Sequence, residues 1–170
     1  MPAINDKGFC LGESCTIVRY LADKYGGSAL MPKDVQKRAK VDAVLDDHHN
    51  NLRQGASRMF WFDFMNPALN IPTDANVRKW FLNVLKHSLK VVNGVLVKQS
   101  YMAGDNMTFA DMLVYSEIKQ LELIDFDFSP YSAIAAWMQV MAKVPHHAEV
   151  FDILEKLNVA AKKRKAAAKL

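Results

Sequence analysis

Read for apolar and polar positions, the chain opens with two short alternating runs and is helical in period from then on. Ala3-Ile4 and Phe9-Cys10-Leu11 flank the turn-forming Asn5-Asp6-Lys7-Gly8, which predicts a hairpin. From Glu13 to Tyr25 the apolar positions Ile17, Val18, Tyr20, Leu21, Ala22 and Tyr25 fall on one broad helical face, and Gly26-Gly27 stops it. A linker, Ser28 to Lys33, precedes Asp34, which can cap a long helix. Its stripe, Val41, Val44, Leu45, His48 and Leu52, runs on to Met59 and Phe60, and Asn66-Pro67 predicts its end. A third helix from about Asp74 carries Val77, Trp80, Phe81, Val84, Ser88, Val91, Val92 and Val95, a pattern that predicts burial on two sides.

The strongest local signal is Met107-Thr108-Phe109-Ala110-Asp111-Met112. Thr108 and Asp111 have the spacing of a capping box, and Met107 and Met112 that of a hydrophobic staple. The helix it opens runs through Tyr115, Ile118 and Leu121. Ser129-Pro130 reads as a cap and first-turn proline for a helix with Ile134, Trp137, Met138 and Met141, closed by Pro145. A last helix carries Val150, Phe151, Leu154 and Leu157. The pattern predicts a mainly α protein: a β-hairpin and helix at residues 1–27, a linker at 28–35, an all-helical bundle at 36–158 and a basic tail at 159–170.

Composition narrows the function classes. At 170 residues and 51% hydrophobic content the chain can bury a sizeable core. No run approaches the roughly 18 apolar residues of a membrane span, and no secretory signal is legible, so membrane partners are not expected. The net charge of +4 is located in Lys162, Lys163, Arg164, Lys165 and Lys169, which leaves the body close to neutral and without a phosphate-binding face. Nucleic acid is therefore not an expected partner. Cys10 and Cys15 are spaced too widely for a C-x-x-C motif, and both read as buried small apolar groups. His48-His49 and His146-His147 are adjacent pairs whose side chains diverge along a helix, so no metal site is expected.

Several motifs together resemble glutathione transferases. Met1-Pro2-Ala3-Ile4, Phe9-x-Leu11-x-Glu13-Ser14 and Ile17-Val18-Arg19-Tyr20-Leu21-Ala22-x-Lys24-Tyr25 are similar to the second half of that family's thioredoxin-like domain. Met31-Pro32-Lys33-Asp34 and Thr108-x-x-Asp111 are also typical of it. The stretch Leu45 to Gly55 most resembles the theta class, in its plant-type members. The resemblance implies a partial thioredoxin-like, glutathione-binding domain at 1–27 and an all-α transferase-type domain at 36–158.

It also implies roles. Glutathione would be co-substrate, with no resident cofactor, a small apolar electrophile would be the acceptor, and the intact form would be a homodimer. Glu13 and Ser14 would hold the γ-glutamyl end, the hydroxyl and N–H of Ser14 taking the carboxylate and Glu13 the ammonium. Pro2 matches the family's cis-proline, which presents the preceding backbone, here Met1, to the peptide; the alternative is an ordinary trans proline at a chain end. Asn50 and Arg53, three apart on one helical face, would border the cleft, with a solvated or ion-paired arginine as the alternative. Met59, Phe60 and Trp61 are candidates for the acceptor pocket or for plain core packing.

The family's thiolate-stabilising hydroxyl, a serine in theta-like enzymes, belongs to a segment that precedes Pro2, so no catalytic residue is expected in the chain as given. A free thiol is only slightly ionised at neutral pH, and lowering its pKa by about two units takes roughly 2.7 kcal/mol. Weak or no transferase activity is therefore the expectation, with peroxidase-type reduction as a related activity and a non-catalytic protein-interaction module as the alternative. The ending Ala168-Lys169-Leu170 resembles the S-K-L peroxisomal address, which makes cytoplasmic or peroxisomal residence the expectation ahead of nuclear.

Overall fold

The computed structural model describes residues 2–27 and 29–167, with side chains as far as 160. Met1 and its bond to Pro2 lie outside the described residues, as do Ala168, Lys169 and Leu170. Strands β1 (Ala3–Asp6) and β2 (Phe9–Gly12) pair antiparallel, from Ala3 opposite Gly12 to Asp6 opposite Phe9. The turn is thus two residues, tighter than the four the sequence suggested. Lys7 and Gly8 both have positive φ, 53° and 95°, as a hairpin turn matched to strand twist requires, and the Asn5 side chain accepts the Gly8 N–H at 2.8 Å.

Helix α1 (Ser14–Tyr25) buries Cys15, Ile17 and Ala22 and closes on Gly26, whose φ of 89° lets its N–H reach the Ala22 carbonyl at 3.1 Å. Its polar side meets the hairpin at Asp6, which accepts from Lys24 (2.6 Å), Tyr20 (2.7 Å) and Tyr25 (2.8 Å). After the linker, Met31 is buried and the Leu30 carbonyl accepts the Phe109 N–H at 3.0 Å, pinning the crossing onto the bundle.

Helix α2 (Val35–Asp47) starts at Asp34, whose carboxylate accepts the Lys37 N–H. The single long helix expected here is broken. Residues 48–51 form a turn in which Asn51 leaves helical geometry (φ −119°, ψ −86°), its side-chain amide bonding the Asp47 carboxylate. Adjacent asparagines offer the backbone such local alternatives to the helical ladder. The chain resumes as α3 (Leu52–Phe60), widens into a π-helical turn at Trp61–Met65 and ends as α4 (Asn66–Leu69). Pro67 does not stop it, because it directly follows the wider π-helical turn, where the i→i−4 ladder that would need its missing N–H is already interrupted; Asn70, at φ 55°, does.

Helix α5 (Ala75–Lys98) is capped by Asp74 and buries Leu85, Ser88, Leu89 and Val92. Its buried side is rotated from the expected stripe: Val77, Trp80 and Val91 are exposed, because α3 lies directly over Leu85. Helix α6 (Phe109–Lys119), continued by a 3-10 turn at Gln120–Ile124, is central, with Ala110, Asp111 and Ile118 fully buried. Its capping box is present, and Asp111 accepts from the N–H groups of Met102 (2.7 Å) and Thr108 (2.9 Å).

Helix α7 (Ser132–Met141) buries Ile134, Trp137, Met138 and Met141 as expected, but Ser129-Pro130 does not cap it. Ser129 instead bonds Asp127 in a local turn, and Asn93 of α5 accepts the Ala133 and Ile134 N–H groups. Helix α8 (His147–Ala167) seats Phe151 in the core. The fold is mainly α, a helical bundle preceded by a hairpin and helix, and among the described residues no helix is long and apolar enough to cross a membrane. One reading of the cysteines is corrected: Cys15 is buried, but Cys10, on the open face of the hairpin, is exposed.

Candidate functional site

The junction of β2 and α1 is the first part of the site. Glu13 has φ 66° and ψ 113°, a region few non-glycine residues adopt, and such strain concentrates where a backbone is held for a purpose. Its side chain is exposed and gives no cap to the helix, while Ser14 is half-buried in the first turn of α1. The first-turn N–H groups, at the positive end of the helix dipole, are thus left for an anion.

Cys15 joins this corner to the rest of the site. Its sulfur lies 3.6 Å from the Leu45 carbonyl and 3.9 Å from His49 Nε2, and burial pushes its thiol up. His49 in turn borders an open polar cleft of about 380 Å³, lined by Asn50, Arg53, Gln54, Ser57 and Arg58 as well. Cys15 thus links the Glu13–Ser14 corner, through this one contact, to the cleft that Asn50 and Arg53 line. Pro2 is exposed at the start of β1, and Met1 lies outside the described residues.

Arg53 is half exposed, and its Nη1 donates to Glu117 Oε1 of α6 at 2.8 Å. The same oxygen bonds His48 Nε2 at 3.1 Å, and Oε2 accepts from Gln120 at 2.7 Å. Burial alone would push the Glu117 carboxyl up, but the bond from His48 and the charge of Arg53 outweigh it and hold it below its ordinary value. Glu117 is not among the residues to which the sequence motifs point. A signal was present: Glu117 stands among the buried apolar positions of α6, as His48 does directly after α2, two polar residues on two buried faces.

Met59, Phe60 and Trp61 are not brought to one cavity. Successive helical residues point about 100° apart. Met59 is 1% exposed in the core, Phe60 stacks on Phe64, and Trp61 is 42% exposed. An apolar cleft of about 390 Å³ lies elsewhere, between α2 and α5, with Val44, Val91, Val92 and Val95 on its walls. Among the described residues no three His, Cys, Asp or Glu side chains converge as a metal centre.

Residues 56–145 match the family described as glutathione S-transferase, C-terminal domain. Glutathione S-transferase T1 of Arabidopsis thaliana is 30% identical over an alignment of 177 residues that covers 97% of this chain and 72% of that protein. Glutathione S-transferase T2 of the same plant is 32% identical over 166 residues, 91% of this chain but 28% of the relative's length. The solved structure of human glutathione S-transferase T1-1 in its apo form superposes with a TM-score of 0.85 at 26% identity, covering 95% of this chain and 70% of that one. The chain belongs to the glutathione S-transferase family, and its likeness is to the theta class.

Proposed function

We propose that this chain binds glutathione along the rim from Glu13 to Arg53 and serves its transfer to a small apolar electrophile. The observation that carries the reading is the strained Glu13 corner, continuous through the Cys15 and His49 contact with the Arg53 cleft. The γ-glutamyl carboxylate would sit on the Ser14 hydroxyl and first-turn N–H groups, its ammonium on Glu13, and the sulfur end toward Asn50 and Arg53. Glutathione is then a co-substrate, and peroxide reduction is a related use of the same thiol. Assembly as a homodimer and import directed by Ala168-Lys169-Leu170 belong to the same proposal.

Titration calorimetry of the full chain with reduced glutathione tests it. Saturable binding is expected, weakened about tenfold by Glu13→Ala and by Arg53→Ala, the loss of one charge-assisted hydrogen bond. Binding indifferent to both substitutions would sink the reading. A protein-interaction module is the second reading, favoured by the exposed Phe9, Leu21 and Tyr25 on the hairpin and α1. No retention on glutathione resin, with stable recruitment into a larger complex, is its signature.

A further inference from the structure

We propose that Glu117 is a positioning residue: it holds the Arg53 guanidinium at the mouth of the polar cleft, so that the remaining N–H groups face the sulfur end of bound glutathione. The inference rests on the reading above and deepens it. Glu117 lies on α6 among Val114, Ile118 and Leu121, all buried, where an apolar residue would avoid the cost of taking a carboxylate out of water. Three donors nevertheless converge on it. His48, itself 2% exposed, and Gln120 fix the plane of the carboxylate from inside, and Arg53 is the one donor that reaches out to the cleft.

The arginine is half exposed, and its guanidinium makes no second hydrogen bond among the described residues. It is held by one arm of the fork with the rest unused. An unrestrained arginine would surrender rotamer freedom on meeting an anion; here folding has already ordered it. The opposite effect, Glu117 competing with the ligand for the arginine, would show as tighter binding once its charge is removed.

The test is a double-mutant cycle on the full chain, read as the dissociation constant for glutathione. Glu117→Gln keeps an oxygen for His48 and loses the charge that grips Arg53, so about a tenfold loss of affinity is expected. Arg53→Ala should lose as much, and the pair together no more than Arg53→Ala alone, since both remove one interaction. A merely structural role for Glu117 would instead weaken binding further in the Arg53→Ala background. Arg53→Lys leaves the buried carboxylate untouched and supplies a second arm should Glu117→Gln melt early: an ammonium lacks the fixed fork and should bind as weakly as Arg53→Ala. Unchanged or tighter binding by folded Glu117→Gln, beside weakened Arg53→Ala, overturns the positioning role and spares the glutathione reading; a wild-type affinity of Arg53→Lys does the same. Binding that Arg53→Ala leaves unchanged overturns the positioning role alone, and no binding by the wild type overturns both.

Discussion

Asp6 shows what a single carboxylate does when one helix supplies all its donors. Lys24, then Tyr20 and Tyr25, hold it from its ordinary 3.8 down to about 2. Because the folded value is the lower, the stabilisation is fully present above the unfolded pKa and is lost as pH falls through the folded one. Between pH 4 and about 2 the hairpin should therefore come away from α1, seen as a fall in hydrogen-exchange protection of Ala3–Gly12 relative to the intrinsic rate at each pH, whereas Asp6→Asn should show low protection already at neutral pH and little change across that window. A flat wild-type profile would deny Asp6 this role. The hairpin was legible from its turn residues, and the cap at Thr108 from its spacing. The Asp6 cluster was not, because its partners are 14 to 19 residues away and only the folded pairing of β1 with α1 brings phenol and ammonium to one carboxylate.

At the scale of elements, the broken helix is the structural finding that bears most on the site. The helical period of the buried stripe of α2 and α3 carries on through residues 48–51, with His48 at one of its positions, so nothing in its period marks a break. Yet in a continuous helix His48 and Arg53, five apart, would point about 140° from one another. The turn, closed by an N–H of Arg53 on the His48 carbonyl at 3.1 Å, lets both side chains reach one oxygen of Glu117. The rotated buried side of α5 has a similar origin, since α3 touches it through Gly55. A methyl on Gly55 would stand 2.5 Å from the Leu85 Cα and 2.6 Å from its N, backbone atoms that cannot swing aside. Alanine for glycine within a helix ordinarily gains up to about 1 kcal/mol. Here overpacking should reverse the sign, and Gly55→Ala is expected to cost about 1–3 kcal/mol in urea denaturation. A variant as stable as the wild type would mean that α3 and α5 lie further apart than described.

Across the whole molecule, the question is what fastens the hairpin and α1 to the bundle, because the proposed glutathione rim crosses that seam. A gap of about 250 Å³ runs along it, between Ser14, Cys15 and Val18 on one side and Leu45, Phe109 and Met112 on the other, so apolar contact alone closes it poorly. Charge does part of the fastening. Arg19, 24% exposed, reaches Asp42 and Asp46 of α2 at 2.6 Å each, and Arg38 of α2 returns a fork to Asp23 of α1. Exposed pairs are worth little singly, but an arginine shared by two carboxylates across one seam should contribute about 1 kcal/mol. Arg19→Ala should accordingly speed amide exchange in the hairpin and α1 about fivefold while leaving the slow amides of α5 and α6 unchanged, the behaviour of a unit that opens before the core. Raising the salt concentration should move the wild type part of the way toward the variant, since the partners are partly solvated. Exchange that quickens equally in every helix would mean that the seam has no separate opening, and that the two halves of the glutathione rim separate only when the whole bundle unfolds.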